Sequence, residues 1–169
     1  MVGVVTDEES TVFYLTGLGG KLDTGLGQAL RDLGVTYSGV SYSGSFEYLS
    51  LEKKLVLVKE KISEFVEMGG NKLVAVSAGG LLIVKLLEEG HLSNLDILLL
   101  SPVLPRVSTI TIHPRSLRVI YGSIDYAYSE TTTKNLLNSI PKSSLLLVDG
   151  SRHSIPHEIV RDELISLIE

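Results

Sequence analysis

Short, almost wholly apolar runs alternate with helical segments along this chain, and this alternation limits its fold more than any other feature. The runs "KLVAV" (Lys72–Val76) and "LDILLLS" (Leu95–Ser101) are typical of strands that are buried on both faces of a sheet. Strands that alternate with helices are joined by right-handed crossovers and form a parallel sheet. Residues 1–169 are therefore predicted to form a single three-layer α/β/α domain with about six mainly parallel strands, whose ligands bind at the carboxyl ends of the strands.

The same periodicity predicts the individual elements. Helices are expected where apolar residues recur every three or four positions, and strands where β-rich runs stop at glycine or proline. The predicted strands are Thr11–Gly17, Val35–Gly44, Lys72–Val76, Leu95–Ser101, Leu117–Ser123 and Ser144–Gly150. The predicted helices are Leu22–Leu33, Leu51–Met68, Ala78–Glu89, Ser129–Ser139 and Pro156–Ile168. One long segment, Pro102–Ser116, is left without a predicted helix.

The composition argues against several kinds of function. A net charge of -5 at pH 7 disfavours a nucleic-acid partner, because such proteins usually present a basic surface. The chain has no cysteine, which excludes disulfides, thiolate metal sites and a cysteine nucleophile. With only 4 histidines, scattered along the chain, neither a metal nor another cofactor is expected.

The sequence has no pattern for membrane insertion or export. No apolar run approaches the length that spans a bilayer. The N-terminal "MVGVVTDEES" lacks the basic region and hydrophobic core of a signal peptide. A cytoplasmic location is therefore expected, while the oligomeric state stays open.

The stretch "AVSAGG" (Ala75–Gly80) joins a predicted strand directly to a predicted helix, with Ser77 at the corner. Such a sharp corner brings two backbones close together, and the small residues on either side of the serine avoid a clash. The geometry is that of a nucleophile elbow, in which the serine hydroxyl is presented at the carboxyl end of the sheet. The amide of Ala78 would then lie at a helix N-terminus, where it can bind an oxyanion. This stretch alone leaves a second role open, because serine is also a favoured helix N-cap.

An acid and a histidine follow later strands at the same edge of the predicted sheet. Asp125 comes just past the fifth strand in "VIYGSIDYAYS", and His153 comes just past the sixth in "LLLVDGSRHSIP". A serine nucleophile needs a histidine base and an acid that orients the base. The order Ser77, Asp125, His153, each after its own strand, resembles that of the α/β-hydrolase superfamily. These three residues are the predicted catalytic triad.

Alternatives to each member of the triad stay open. Asp149 ends the strand that leads to the histidine and could orient it in place of Asp125. His157 is a rival base, although it is expected in the first turn of the last helix, where a solvated surface residue is more common. Ser101 and Ser123 face the same edge but lack the strand–corner–helix context.

The resemblance extends to "YLTGLGG" (Tyr14–Gly20), which follows the first strand. The family often has His-Gly in this loop, which supplies the second oxyanion amide. Thr16 and Gly17 stand there in this chain, so the resemblance implies the backbone N–H groups of Leu18 and Ala78 as the two donors. It further implies a truncated member without the two leading antiparallel strands or the cap domain. The chain thus resembles the small, lidless serine hydrolases, in particular the retinoblastoma-binding-protein-9-like group.

The resemblance implies a serine hydrolase that cleaves a small or short-chain carboxylic ester or thioester through an acyl-enzyme. Substrate contacts are expected from residues that follow the predicted strands: Tyr42, Phe46, Val103 and Tyr126. A non-catalytic α/β-hydrolase-like binding module remains an alternative, since a fold does not fix a function. A nucleotide-binding domain is a weaker one, because "TGLGGKLDTGLG" (Thr16–Gly27) matches neither a dinucleotide fingerprint nor a P-loop.

Overall fold

A computed structural model describes residues 4–5 and 10–169 of the chain. Its strands are β1 (Val4–Val5), β2 (Val12–Leu15), β3 (Tyr37–Val40), β4 (Lys72–Val76), β5 (Asp96–Leu100), β6 (Ser116–Gly122) and β7 (Ser143–Val148). Its helices are α1 (Leu26–Asp32), α2 (Leu51–Glu67), α3 (Ala78–Glu88), α4 (Glu130–Asn138) and α5 (His157–Ile168). The strands form one sheet in the order β1-β3-β2-β4-β5-β6-β7.

Strands β2 to β7 are all parallel to one another. The prediction of a three-layer fold with about six mainly parallel strands is therefore confirmed. The expectation that no antiparallel strand precedes them is wrong, because β1 pairs antiparallel with β3, with Val4 opposite Val40. A strand of 2 residues is too short to produce a recognisable sequence pattern. The expectation about a signal peptide falls mainly on residues 1–9, most of which lie outside the described residues.

The helices cover the sheet on both faces. Helices α1 and α5 pack on one face, with Leu30 and Leu164 among the buried residues of that layer. Helices α2, α3 and α4 pack on the other, where the core is larger. Successive side chains of a strand point to opposite faces. Val74 of β4 accordingly packs against the α1–α5 layer, and Ala75 against the other.

Serine side chains cap the N-termini of two of the helices. The Ser50 and Ser129 hydroxyls accept hydrogen bonds from Lys53 N at 3.2 Å and Thr132 N at 3.3 Å, so α2 and α4 start at the next residue. The first helix begins later than predicted, at Leu26, because the carbonyl of Leu22 accepts a hydrogen bond from the Tyr37 hydroxyl at 2.5 Å. This contact keeps the preceding segment in an irregular loop.

An ionic cluster joins three strands at their amino ends, opposite the edge to which the sequence assigns the site. The Asp96 carboxylate accepts hydrogen bonds from Lys72 Nζ at 2.5 Å, Ser116 Oγ at 2.7 Å and Arg115 Nε at 3.0 Å. These donors, above all Arg115, hold the pKa of Asp96 well below its usual range. Within residues 4–5 and 10–169, no helix is long and apolar enough to cross a membrane.

Candidate active site

Ser77 lies between β4 and α3 in a strained backbone conformation, with φ 50° and ψ -117°. This region is rarely populated by residues other than glycine, and such strain is concentrated at functional sites. The corner is crowded, since a Cβ atom at Gly79 would lie 2.5 Å from the carbonyl oxygen of Thr16. A Cβ atom at Gly80 would lie 2.6 Å from Cβ of Pro102. Gly79 and Gly80 are therefore required because the segments that follow β2 and β5 pass close to the corner, and not because of β4 itself.

A chain of hydrogen bonds links Ser77, His153 and Asp125. The Ser77 Oγ atom lies 2.8 Å from His153 Nε2, and it makes no capping hydrogen bond to α3. His153 Nδ1 lies 3.0 Å from both Asp125 carboxylate oxygens. Both contacts are satisfied when Nδ1–H donates to the carboxylate and Nε2 accepts from the serine hydroxyl. In this arrangement the hydroxyl is aligned for transfer of its proton to the imidazole.

The Asp125 carboxylate is fully enclosed, with 0% of its side chain exposed. It accepts a second hydrogen bond from the backbone N–H of Ala127 at 2.8 Å. Burial and, to a smaller degree, the nearby charge of Asp125 raise the pKa of Tyr121, whose hydroxyl donates to the carbonyl of Pro102 at 2.5 Å. The alternative acid, Asp149, is exposed and makes no hydrogen bond with His153 among the described residues.

Two contacts that the sequence did not indicate hold the loop that carries His153. Ser101, which the sequence suggests only as a rival nucleophile, donates its hydroxyl proton to the backbone carbonyl of His153 at 2.7 Å. It is 2% exposed and has φ 46°, which is unfavourable for serine. At Gly122, the loop passes so close that an added Cβ atom would lie 2.1 Å from the carbonyl oxygen of Ser151. Neither residue stands in a sequence pattern that could have revealed these contacts.

The loop after β2 lies against the nucleophile corner. A Cβ atom at Gly17 would lie 3.2 Å from Ser77 Cβ, and the Leu18 N–H makes no hydrogen bond within residues 4–5 and 10–169. The buried Thr16 hydroxyl holds this loop, because it accepts from Tyr42 N at 2.8 Å and donates to the carbonyl of Gly17 at 2.8 Å.

The second predicted oxyanion donor begins a helix. Ala78 is the first residue of α3, so its N–H has no carbonyl four residues earlier in the helix. The amides of Leu18 and Ala78 therefore both lack a hydrogen-bond partner within the part of the chain that the structure describes.

A cavity of about 1000 Å³ opens beside Ser77 and His153, between α1 and α5. Of the predicted substrate contacts, Tyr126 lines this cavity, and its ring centroid lies 4.9 Å from that of His153. The predictions of Tyr42 and Phe46 need correction, because these rings pack edge to face in the core on the opposite face of the sheet. They are 8% and 0% exposed.

The predicted contact Val103 and the rival base His157 make no hydrogen bond to the side chains of Ser77, His153 or Asp125 among the described residues. Val103, the remaining predicted contact, donates its backbone N–H to the carbonyl of Ser77 at 3.0 Å and is not part of the cavity lining. His157 is exposed in the first turn of α5, at the outer margin of the cavity. Among the described residues, no group of three or more His, Cys, Asp or Glu side chains could hold a metal ion.

Comparison with solved structures places the chain among proteins of one fold. It superposes on a monoacylglycerol lipase from Paleococcus ferrophilus with a TM-score of 0.73 and 14% identity, over 99% of this chain and 98% of the other. For a predicted CIB-like hydrolase from Thermoplasma acidophilum, the TM-score is 0.67 and the identity 18%, over 99% and 92% of the two chains. For alpha/beta hydrolase domain-containing protein 10 from mouse, the TM-score is 0.70 and the identity 12%, over 99% of this chain and 91% of the other.

The chain therefore has the α/β-hydrolase fold, with only a loop where a cap domain is often inserted. No protein-family model matches the sequence, and no curated protein matches it either. The closer similarity to retinoblastoma-binding-protein-9-like hydrolases stays a prediction.

Proposed function

We propose that this protein is a serine hydrolase that cleaves a carboxylic ester or thioester of a small molecule. The observation that carries the proposal is the hydrogen-bonded chain from Ser77 Oγ through His153 to Asp125, with distances of 2.8 and 3.0 Å. The strained backbone of Ser77 supports it, because a residue that only capped the helix would not need φ 50°. The resemblance of the fold to a lipase and other hydrolases agrees with this class of reaction.

The acylation step follows from the geometry. Ser77 Oγ adds to the substrate carbonyl carbon while the hydroxyl proton passes to His153 Nε2. Asp125 holds the imidazole in the required tautomer and stabilises its charged form. The negative charge on the substrate oxygen is bound by the N–H groups of Leu18 and Ala78, and loss of one such donor typically costs about 3–4 kcal/mol in barrier height. When the tetrahedral intermediate collapses, His153 returns the proton to the leaving alcohol or thiol, and the acyl group stays on Ser77.

Deacylation repeats these steps with water as the nucleophile. His153 Nε2 takes a proton from the water as its oxygen adds to the acyl carbon. Collapse of the second tetrahedral intermediate breaks the bond to Ser77 Oγ, which recovers its proton from His153. The products are a carboxylic acid and the alcohol or thiol, and the enzyme returns to its starting state.

A fluorophosphonate probe tests the proposal, because it reacts covalently with an activated serine. We expect wild-type protein to become labelled at Ser77 and Ser77→Ala to remain unlabelled. Ser123→Ala is the matched control, since Ser123 lies at the same edge of the sheet and its hydroxyl accepts a hydrogen bond from Gly150 N at 2.8 Å, away from His153. Absence of labelling in folded wild-type protein, or equal labelling of Ser77→Ala, would contradict the hydrolase and favour a non-catalytic binding module.

A further inference from the structure

The cavity beside Ser77 extends away from the reacting groups, between α1 and α5. Its floor is made by side chains near the carboxyl ends of three adjacent strands, Tyr14, Val76 and Leu100. Its walls are mainly apolar and come from the two helices and the loop before α5: Leu26, Ala29, Leu33, Ile155 and Val160. A volume of about 1000 Å³ is large for a site that cleaves only small acyl groups, since small-molecule sites span about 300–1,000 Å³.

The charged residues of this cavity are confined to its mouth. Asp32 and Arg161 contribute to the lining, and both are exposed to solvent. The floor and the inner walls carry no charged side chain among the described residues. Burial of a charged ligand group there would be costly without a partner, whereas apolar surface gains free energy on burial. The interior therefore fits an uncharged, mainly hydrocarbon group.

The hydroxyl of Tyr14 is a polar group on the floor, away from the reacting side chains. Tyr14 is 5% exposed, and its hydroxyl has no hydrogen-bond partner within residues 4–5 and 10–169. Burial raises its pKa to about 12, so the hydroxyl keeps its proton and can donate it. The hydroxyl oxygen is not enclosed by protein atoms but opens into the cavity, where it can donate to an acceptor on a bound ligand.

We propose, on the basis of the hydrolase function above, that this cavity binds the uncharged hydrocarbon part of the substrate, and that this part carries an oxygen which accepts a hydrogen bond from Tyr14. The substrate is then an ester or thioester with a chain or ring much larger than acetyl. The absence of a lid favours a short-chain substrate. The two helices, however, supply the space for a larger chain or ring without a lid.

Chain-length selectivity is the first test. Two series are compared, p-nitrophenyl acetate with p-nitrophenyl octanoate, and ethyl acetate with octyl acetate, so that the acyl and alcohol halves are distinguished. In one of the two series we expect kcat/KM to be about tenfold or more higher for the eight-carbon substrate than for the two-carbon one, since each buried methylene adds to binding. Ala29→Phe fills the cavity and should lower that preference by about tenfold.

The matched control for chain length is Val56→Phe, which adds the same ring on α2, where the side chain is 55% exposed and far from the cavity. It should keep the wild-type preference. Thermal unfolding verifies that both variants fold, and Ala29→Leu replaces Ala29→Phe if the larger ring prevents folding. An enzyme that hydrolyses both members of each series equally well, or an unchanged preference in the folded Ala29 variant, would overturn the assignment of the cavity.

The second test measures binding without catalysis. In the Ser77→Ala background, titration with 2-octanone, a neutral ketone, should shift the amide NMR signals of residues around the cavity, such as Leu26 and Val160. Addition of Tyr14→Phe removes only the hydroxyl and should weaken binding about fivefold. Addition of Tyr48→Phe, on a side chain that is 85% exposed, should leave the affinity unchanged.

The outcomes of the two tests separate this inference from the proposed function. Equal affinity of the Tyr14→Phe and Tyr48→Phe proteins, or no shifts around the cavity, would overturn the inference even if Ser77 reacts with the fluorophosphonate. Tight binding that depends on Tyr14, in a protein whose Ser77 does not react, would retain the cavity assignment and reject the hydrolase.

Discussion

The Asp125 side chain is the most enclosed group in the hydrogen-bonded chain that begins at Ser77. Asp125→Asn keeps the shape of the side chain but favours the wrong imidazole tautomer, so we expect kcat to fall about 10⁴-fold with little change in folding. Ester hydrolysis by purified protein measures this. Asp149→Asn is the matched control, because Asp149 is exposed and outside the hydrogen-bonded chain. A larger loss in the Asp149 variant than in the Asp125 variant would reverse the assignment of the acid.

Ser101 is expected to act as a positioning residue through its hydrogen bond to the carbonyl of His153. Ser101→Ala removes the hydroxyl and keeps the β-carbon at positive φ, so kcat should fall about tenfold while KM changes little. Ser101→Thr keeps a hydroxyl and should recover part of kcat.

A further variant separates the hydrogen bond of Ser101 from its backbone strain. Ser101→Gly loses the hydroxyl but relieves the strain, so its stability to urea should exceed that of Ser101→Ala while kcat stays low. Wild-type kcat in both the Ala and Gly variants would show that the hydroxyl does not position His153. A rise in KM with unchanged kcat would instead place Ser101 in substrate binding.

At the scale of elements, β6 ends at a close contact with the loop that carries His153. An added methyl group at Gly122 would lie 2.1 Å from the carbonyl oxygen of Ser151 and 2.3 Å from that of Arg152. Gly122→Ala must therefore displace this loop, and we expect kcat to fall by up to about 100-fold, together with a lower melting temperature.

Gly70→Ala is the control for this loop displacement. Its methyl group would lie 2.3 Å from the Phe65 ring, a contact nearly as close as that at Gly122, but Gly70 precedes β4 and lies away from the site. It should lower the melting temperature without a comparable loss of kcat. If kcat falls equally in both variants, the effect of Gly122→Ala is a general loss of packing and not a displacement of His153.

Elements with strong local signals were predicted well, and elements fixed by distant contacts were not. The strand Lys72–Val76 was predicted with the observed ends, since a continuous apolar run is followed by a sharp corner. Helix α1 begins at Leu26 and not at Leu22, because Tyr37, which lies on the next strand, holds the Leu22 carbonyl. A contact of that kind leaves no periodic pattern in either segment.

At the scale of the whole molecule, the Asp96 cluster joins the amino ends of β4, β5 and β6. The pKa of Asp96 is held below its unfolded value, so its ionised form contributes stability above a pH of about 4, and this contribution is lost as the pH falls below that value. Asp96→Asn should therefore lower the free energy of unfolding by about 1 kcal/mol at pH 7. The difference in the free energy of unfolding between Asp96→Asn and wild type should be smaller at pH 3 than at pH 7.

Urea unfolding at the two pH values measures this contribution. Glu130→Gln is the control, because it makes the same carboxyl-to-amide change in an exposed pair with Lys134 and should alter stability little at either pH. A deficit of Asp96→Asn that is as large at pH 3 as at pH 7 would mean that the charge of Asp96 is not its cause.

By itself, the sequence determined the kinds of elements, their order and therefore the parallel sheet, because hydrophobic periodicity is a local property of the chain. It also determined that Ser77, Asp125 and His153 share one edge, since the carboxyl ends of parallel strands all meet there. Only the tertiary structure decided which carboxylate reaches the imidazole, and at what distance. The contact between Ser101 and His153 was likewise decided there, as was the cavity between α1 and α5 with Tyr14 in its lining. Each depends on contacts between segments far apart in the chain, which no local pattern encodes.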